Sequence, residues 1–165
     1  MSMVFGLTLL AMALPSGKAL EVVSVQYHSD NGSLPPPYRR STEIVVDVDG
    51  KGTLTRLHGY DGNDPARRFE HSFAVTPEQR QAFVRRVEEL GLWTTVWRER
   101  DRVPVGGPLV HVRFQRGAQS VSLPAFPLES QRDAVEALRA EVLALVPEAA
   151  TIARQAWEQG KSDPE

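Results

Sequence analysis

Four histidines, His28, His58, His71 and His111, are the residues best suited to acid–base or metal chemistry in this 165-residue chain, and no cysteine accompanies them. Each falls in its own stretch of strand-like alternation. No His-x-x-x-His or His-Glu-x-x-His spacing sets two ligands on one helical turn. A metal-dependent or hydrolytic enzyme built on these side chains therefore requires at least two of them to meet across a sheet, since zinc takes three or four convergent ligands. His28-Ser29-Asp30 holds the letters of a catalytic triad, but adjacent strand residues point to opposite faces, so the three cannot act together. No Gly-x-Ser-x-Gly elbow exposes a serine nucleophile. An EF-hand loop read from Asp47 places Asp49 and Gly52 correctly, whereas Lys51 and His58 stand where oxygen ligands are needed. Asp49-Gly50-Lys51-Gly52 and the Gly106-Gly107 pair lack the lysine and hydroxyl of a phosphate loop and read as turns. The expectation is no catalytic residue, no metal and no cofactor.

Binding is the chemistry that remains. Pro35-Pro36-Pro37-Tyr38 satisfies the Pro-Pro-x-Tyr pattern of WW-domain ligands, in which a preformed extended segment docks with little loss of entropy. Framed by strands, it reads more simply as a stiff connector with Tyr38 packed on the sheet. The exposed part of the loop is then its polar tip, Asp30, Asn31, Gly32 and Ser33, with Leu34 beside it. Asn31-Gly32-Ser33 is also a glycosylation acceptor. A second candidate surface is the connection over 93–108, where Trp97, Arg100 and Arg102 could touch a partner. On the simpler reading of that stretch, Trp93 and Trp97 belong to the edge of the core, and the charges from Arg98 to Arg102 form a solvated network. The formal net charge of −2 and a pI near 6.1 supply no general attraction to nucleic acid or to an anionic membrane, so the expected partner is a protein.

These residues need elements to hold them. The clearest is a helix over 76–92: Thr76 caps it, Pro77 fits its first turn, and Gln79 completes a capping box. Phe83, Val84, Val87 and Leu90 make its apolar face, and Gly91 stops it in a Schellman ending that returns Leu92 onto Val87. Alternation predicts strands over 21–29, 41–49, 53–60 and 67–75 before this helix, and a hairpin of 109–116 with 120–126 after it. The second strand is expected to bury Ile44, Val46 and Val48. Leu54 and Leu57, out of phase in the third, predict a bulge. The 93–108 connection is irregular, with a short strand at its start. Ser130 is read as the cap of a last helix with the stripe Val135, Leu138, Val142 and Leu145, ended or kinked by Pro147. That helix resumes over 148–159 on Ile152 and Trp157, and Gly160 ends it.

Grouped strands and helices predict one α+β domain, a mostly antiparallel sheet of about six strands with helices on one face. A chain this long buries a core without crosslinks. Residues 1–19 read as a signal-like leader: 3–14 is apolar, too short to span a bilayer, and followed by Pro15, Ser16 and Gly17, although no Lys or Arg precedes it. The expectation is a secreted or periplasmic protein, the alternative a cytoplasmic one, with the domain over 20–159, a disordered tail over 160–165 and no transmembrane segment. A sheet, a helix, a hairpin and a last helix in this order, with Gly32 in the loop after the first strand, resemble emfourin, the small bacterial inhibitor of thermolysin-like metallopeptidases. The likeness spans 22–146 as architecture. It implies a small non-catalytic inhibitor of a secreted peptidase. Paired glycines in that family's first loop are reduced here to Gly32, and the first hairpin and triple proline are additional, so no inhibitory residue carries over. The chain also resembles small bacterial domains with a Pro-Pro-Pro-Tyr loop, which implies no activity. A purely structural or accessory domain is the remaining alternative.

Overall fold

The computed structural model describes residues 23–160 except Pro37 and Val105. The leader expected over 1–19, and all of the expected tail but Gly160, lie outside the described residues. Six strands alternate along the chain with turns: β1 (Val23–Asp30), β2 (Arg40–Val46), β3 (Lys51–His58), β4 (Arg68–Ala74), β5 (Leu109–Arg116) and β6 (Gln119–Leu123). They form one antiparallel sheet in the order β4-β3-β2-β1-β5-β6. The helices are α1 (Pro77–Glu89), α2 (Arg132–Ala144) and α3 (Glu148–Gln159). This is the α+β class that the grouping of strands and helices requires.

One face of the sheet is apolar. Val25, Ile44, Leu54, Val112 and Phe114 join Val87, Leu92, Leu138 and Val142 of the helical layer in a single buried core. Gly52 sits in this face because the ring of Phe73 lies across it; a Cβ there would fall 2.2 Å from that ring. The other face carries the alternate residues, among them Gln26, Glu43, Glu70, His111, Arg113 and Gln115, all exposed. Arg139 is a charged residue drawn into the core, 8 % exposed. Its Nη2 donates to the carbonyls of Val110, Pro124 and Ala125, at 3.2, 2.9 and 3.1 Å, and Nη1 pairs with Glu136. The guanidinium thus satisfies carbonyls that the end of the sheet leaves without ladder partners.

α1 begins and ends as its letters require. The Thr76 hydroxyl accepts from the Gln79 N–H, and the Gln79 side chain accepts from the Thr76 N–H. Leu92 N–H reaches the Val87 carbonyl at 3.0 Å and Gly91 N–H the Glu88 carbonyl at 2.9 Å. Those two bonds define the Schellman ending, and Gly91 takes φ +74.

Five expectations need correction. β2 and β3 pair without a break from Arg40↔His58 to Val46↔Gly52, so there is no bulge. Leu57 lies on the open face, while Arg56 and His58 face the helices, where α3 supplies Glu158 and Trp157. Val48 is not buried; β2 ends at Val46, and the chain turns there because the Asp47 carboxylate accepts from the N–H groups of Asp49 and Lys51. Ser130 does not cap α2. It lies in a 3₁₀ turn, Glu129–Gln131, and Gln131 precedes the helix with its side chain bonded to Val96 and Arg98. Ile152 is no anchor, being 56 % exposed; Ala150 is the fully buried residue of α3. The 93–108 connection opens in turns, and its isolated bridge comes later, at Glu99↔Pro127. Pro147 breaks the last helix in two.

Candidate binding surface

Antiparallel alternation brings the β1–β2 loop, the β3–β4 loop and the connection into β5 to one end of the sheet. The β1–β2 loop is fastened from its own residues. Asp30 Oδ1 accepts from the Gly32 N–H at 2.8 Å, while Oδ2 faces His28 Nε2 at 3.4 Å and Arg39 Nη2 at 3.6 Å. Asn31 spans the base: Oδ1 accepts from Arg40 N–H at 2.7 Å, and Nδ2 donates to the Tyr38 carbonyl at 2.8 Å. Gly32, at φ +88, lets the loop touch the connection, where its Cβ would stand 2.6 Å from the Gly107 oxygen. Only glycine fits that approach.

The β3–β4 loop supplies a second fastening. Tyr60 donates its hydroxyl to the Leu34 carbonyl at 2.8 Å, and the Arg39 guanidinium lies 4.7 Å above the Tyr60 ring centroid. Gly59, at φ +85, aims this residue at the loop, and its N–H donates to the Arg39 carbonyl. Tyr60 and Arg39 are therefore part of the surface, which the sequence reading missed. The signal was Gly59, which places Tyr60 in the following turn and not in a strand.

Tyr38 does not pack on the sheet. It is 67 % exposed and Leu34 is 41 % exposed, with Tyr60 at 54 % beside them. The connector reading fails on this point, since hydrogen bonds from Asn31 and Tyr60, rather than an aromatic anchor, hold the loop. The Tyr38 N–H donates to the Pro35 carbonyl at 2.9 Å, closing a turn. An extended polyproline helix has no such internal bond, so the shape that WW domains read is not the one held here.

The remaining candidates separate into two groups. Ser33 and Arg102 are exposed. Trp97 is turned inward against the core, with Nε1 donating to the Leu92 carbonyl at 3.0 Å. Arg100 lies over the Phe126 ring at 5.2 Å, and its N–H donates to the Phe126 carbonyl. Trp97 thus ties the connection to the end of α1, and Arg100 ties it to the segment after β6. Asp30, Asn31 and Gly32 likewise shape the loop, which leaves Ser33, Leu34, Tyr38 and Arg102 of the expected residues, together with the exposed Tyr60, as the groups a partner could cover.

The histidines divide by face. His28 and His111 stand opposite each other in the β1–β5 register, with Glu43 on the other flank of His28, along a depression of about 200 Å³. This is the one pairing that an enzyme built on strand histidines needs. Among the described residues, however, no three His, Cys, Asp or Glu side chains are placed to hold a metal ion. His58 and His71 lie under the helices, His58 edge-on to Trp157 at 4.7 Å and His71 stacked on Phe69 at 6.3 Å. Ser29 points away from His28 and Asp30, into a cavity on the helical side.

No protein-family model matches the chain, and no curated protein matches it.

Proposed function

We propose that this domain is a small non-catalytic protein-binding module that presents Leu34, Tyr38 and Tyr60 to a protein partner, with inhibition of a secreted peptidase as its sharpest form. The observation that carries this reading is an exposed tyrosine on a backbone already fixed by Asn31 and Tyr60. Tyrosine offers a large, two-torsion contact surface, and a fixed loop loses little freedom when it is covered. The order of elements supports the inhibitor form by its likeness to emfourin. Among the described residues no helix is long and apolar enough to cross a membrane. The apolar stretch over 3–14 supports export to the periplasm or beyond, and N-terminal sequencing of the native protein tests it: a chain still starting at Met1 removes that part.

The assay is inhibition of thermolysin by the wild-type domain and by a Leu34→Ala, Tyr38→Ala double variant. Inhibition at micromolar protein is expected, weakened about tenfold or more in the variant, as loss of a central aromatic contact produces. No inhibition by wild type removes the inhibitor form. Equal recovery of secreted proteins by wild type and variant in a quantitative pull-down removes the loop as the binding surface.

A further inference from the structure

α3 is joined to the sheet by Trp157 against His58 and Phe69, by the buried Ala150, and by charge. Glu158 accepts from Arg56 Nε at 2.8 Å and from Arg154 Nη1 at 3.1 and 3.2 Å, and His58 Nε2 stands 4.0 Å from the same carboxylate. Arg56 also donates to the Thr42 hydroxyl. Between this network and the break at Pro147 lies a pocket of about 250 Å³. Ser29, Thr42, Thr151 and Arg154 give its polar wall, and Ile44 and Leu54 belong to its apolar side.

Among the described residues, one carboxylate faces two arginines at the edge of this pocket. Burial pulls the Arg56 guanidinium below its ordinary range; Glu158 opposes that shift, and repulsion from Arg154 and Arg40 adds to it. Among the described residues, the Glu158 carboxylate is shared by two partly buried guanidiniums, those of Arg56 and Arg154. Cations taken out of water call for a counter-charge, and a guanidinium beside hydroxyls matches a carboxylate head. A pocket of this size lies below the usual volume of a drug-sized ligand site, so the occupant is small. Its apolar side asks for carbon rather than a second charge.

We propose that this pocket binds a small monocarboxylate with a short apolar chain, its head on Arg154 and the hydroxyls of Ser29 and Thr42, its chain against Ile44 and Leu54. The test is titration of the ¹⁵N-labelled protein with hexanoate, hexanol and inorganic phosphate at millimolar concentrations. Hexanoate is expected to shift the amides of Ser29, Thr42, Thr151 and Arg154 saturably and to raise Tm. Hexanol and phosphate should bind about tenfold more weakly or not at all, each lacking one half of the recognition. Arg154→Gln should weaken hexanoate by a similar factor. Thr151→Leu, which keeps the arginine and fills the space, should abolish the shifts even if the Arg154 variant folds poorly. Absence of saturable shifts, shifts mapping elsewhere, equal binding of hexanol or phosphate, or full binding by Thr151→Leu would each overturn the site.

Discussion

Tyr38 and Asn31 exchange the roles that their types suggest. A large aromatic ring is the usual anchor of a loop and an asparagine its usual ornament, yet here Asn31, just after β1, bonds the backbone of Tyr38 and Arg40 across the loop base while the Tyr38 ring stands in solvent. Tyr38→Ala should therefore change stability by less than about 0.5 kcal/mol, the range of surface substitutions. Asn31→Ala should cost about 1 to 2 kcal/mol for its lost hydrogen bonds. Urea melts of the two variants decide the matter, and the opposite order of losses would show Tyr38 to be an anchor. Arg139 gives the sharper case. Removing it strands carbonyls of Val110, Pro124 and Ala125 near the core, so Arg139→Ala should lose about 2 to 4 kcal/mol, while an unchanged midpoint would mean that water replaces it. Neither role was legible in the sequence. Asn31 was readable as a turn residue and Arg139 as a helix-surface charge, and what changed both was the position of carbonyls that no local pattern encodes.

Elements governed by neighbours in sequence were legible, and those governed by distant partners were not. α1 follows its letters because Thr76, Gln79, Gly91 and Leu92 satisfy one another within a turn of each end. α2 departs from its letters because Gln131, not Ser130, was recruited by the Val96 carbonyl and the Arg98 N–H. β3 looked bulged because its inward Arg56 and His58 find their partners on α3, at the far end of the chain. Thr76→Ala should cost about 1 kcal/mol by urea melt, the usual effect of losing a helix cap. A pH-dependent effect belongs to the same turn. The Glu78 carboxyl is held below its ordinary range, first by its own backbone N–H and then by the Thr76 hydroxyl. A depressed carboxyl stabilises the fold above its unfolded value of about 4.3 and loses that contribution as pH falls through its folded value. Glu78→Gln should thus be less stable than wild type at neutral pH and converge with it below about pH 4; a gap that persists in acid would assign the effect to shape instead.

At the scale of the molecule, strand alternation and the grouping of elements gave the layer arrangement, because burying one face of a sheet under helices leaves few alternatives. The loop end followed from topology once the strands were placed, but its fastening by Tyr60 and the close approach of Gly32 to Gly107 rest on contacts across the sheet's width. The strand order has a consequence in time. β1 lies in the middle of the sheet, next to β2 on one side and to β5 on the other. Its first neighbour arrives after one loop, whereas its second begins at Leu109, beyond α1 and the long connection. Contacts between strands so far apart in the chain form slowly. Until β5 docks, the hydrogen-bonding edge of β1 stays open, with Val23, Val25 and Tyr27 uncovered beside it. A fragment ending at Pro108 should therefore self-associate through β1, read by light scattering after gel filtration; a stable monomeric fragment would show that the edge is protected some other way. The centre of the finished sheet is, during folding, its most exposed margin.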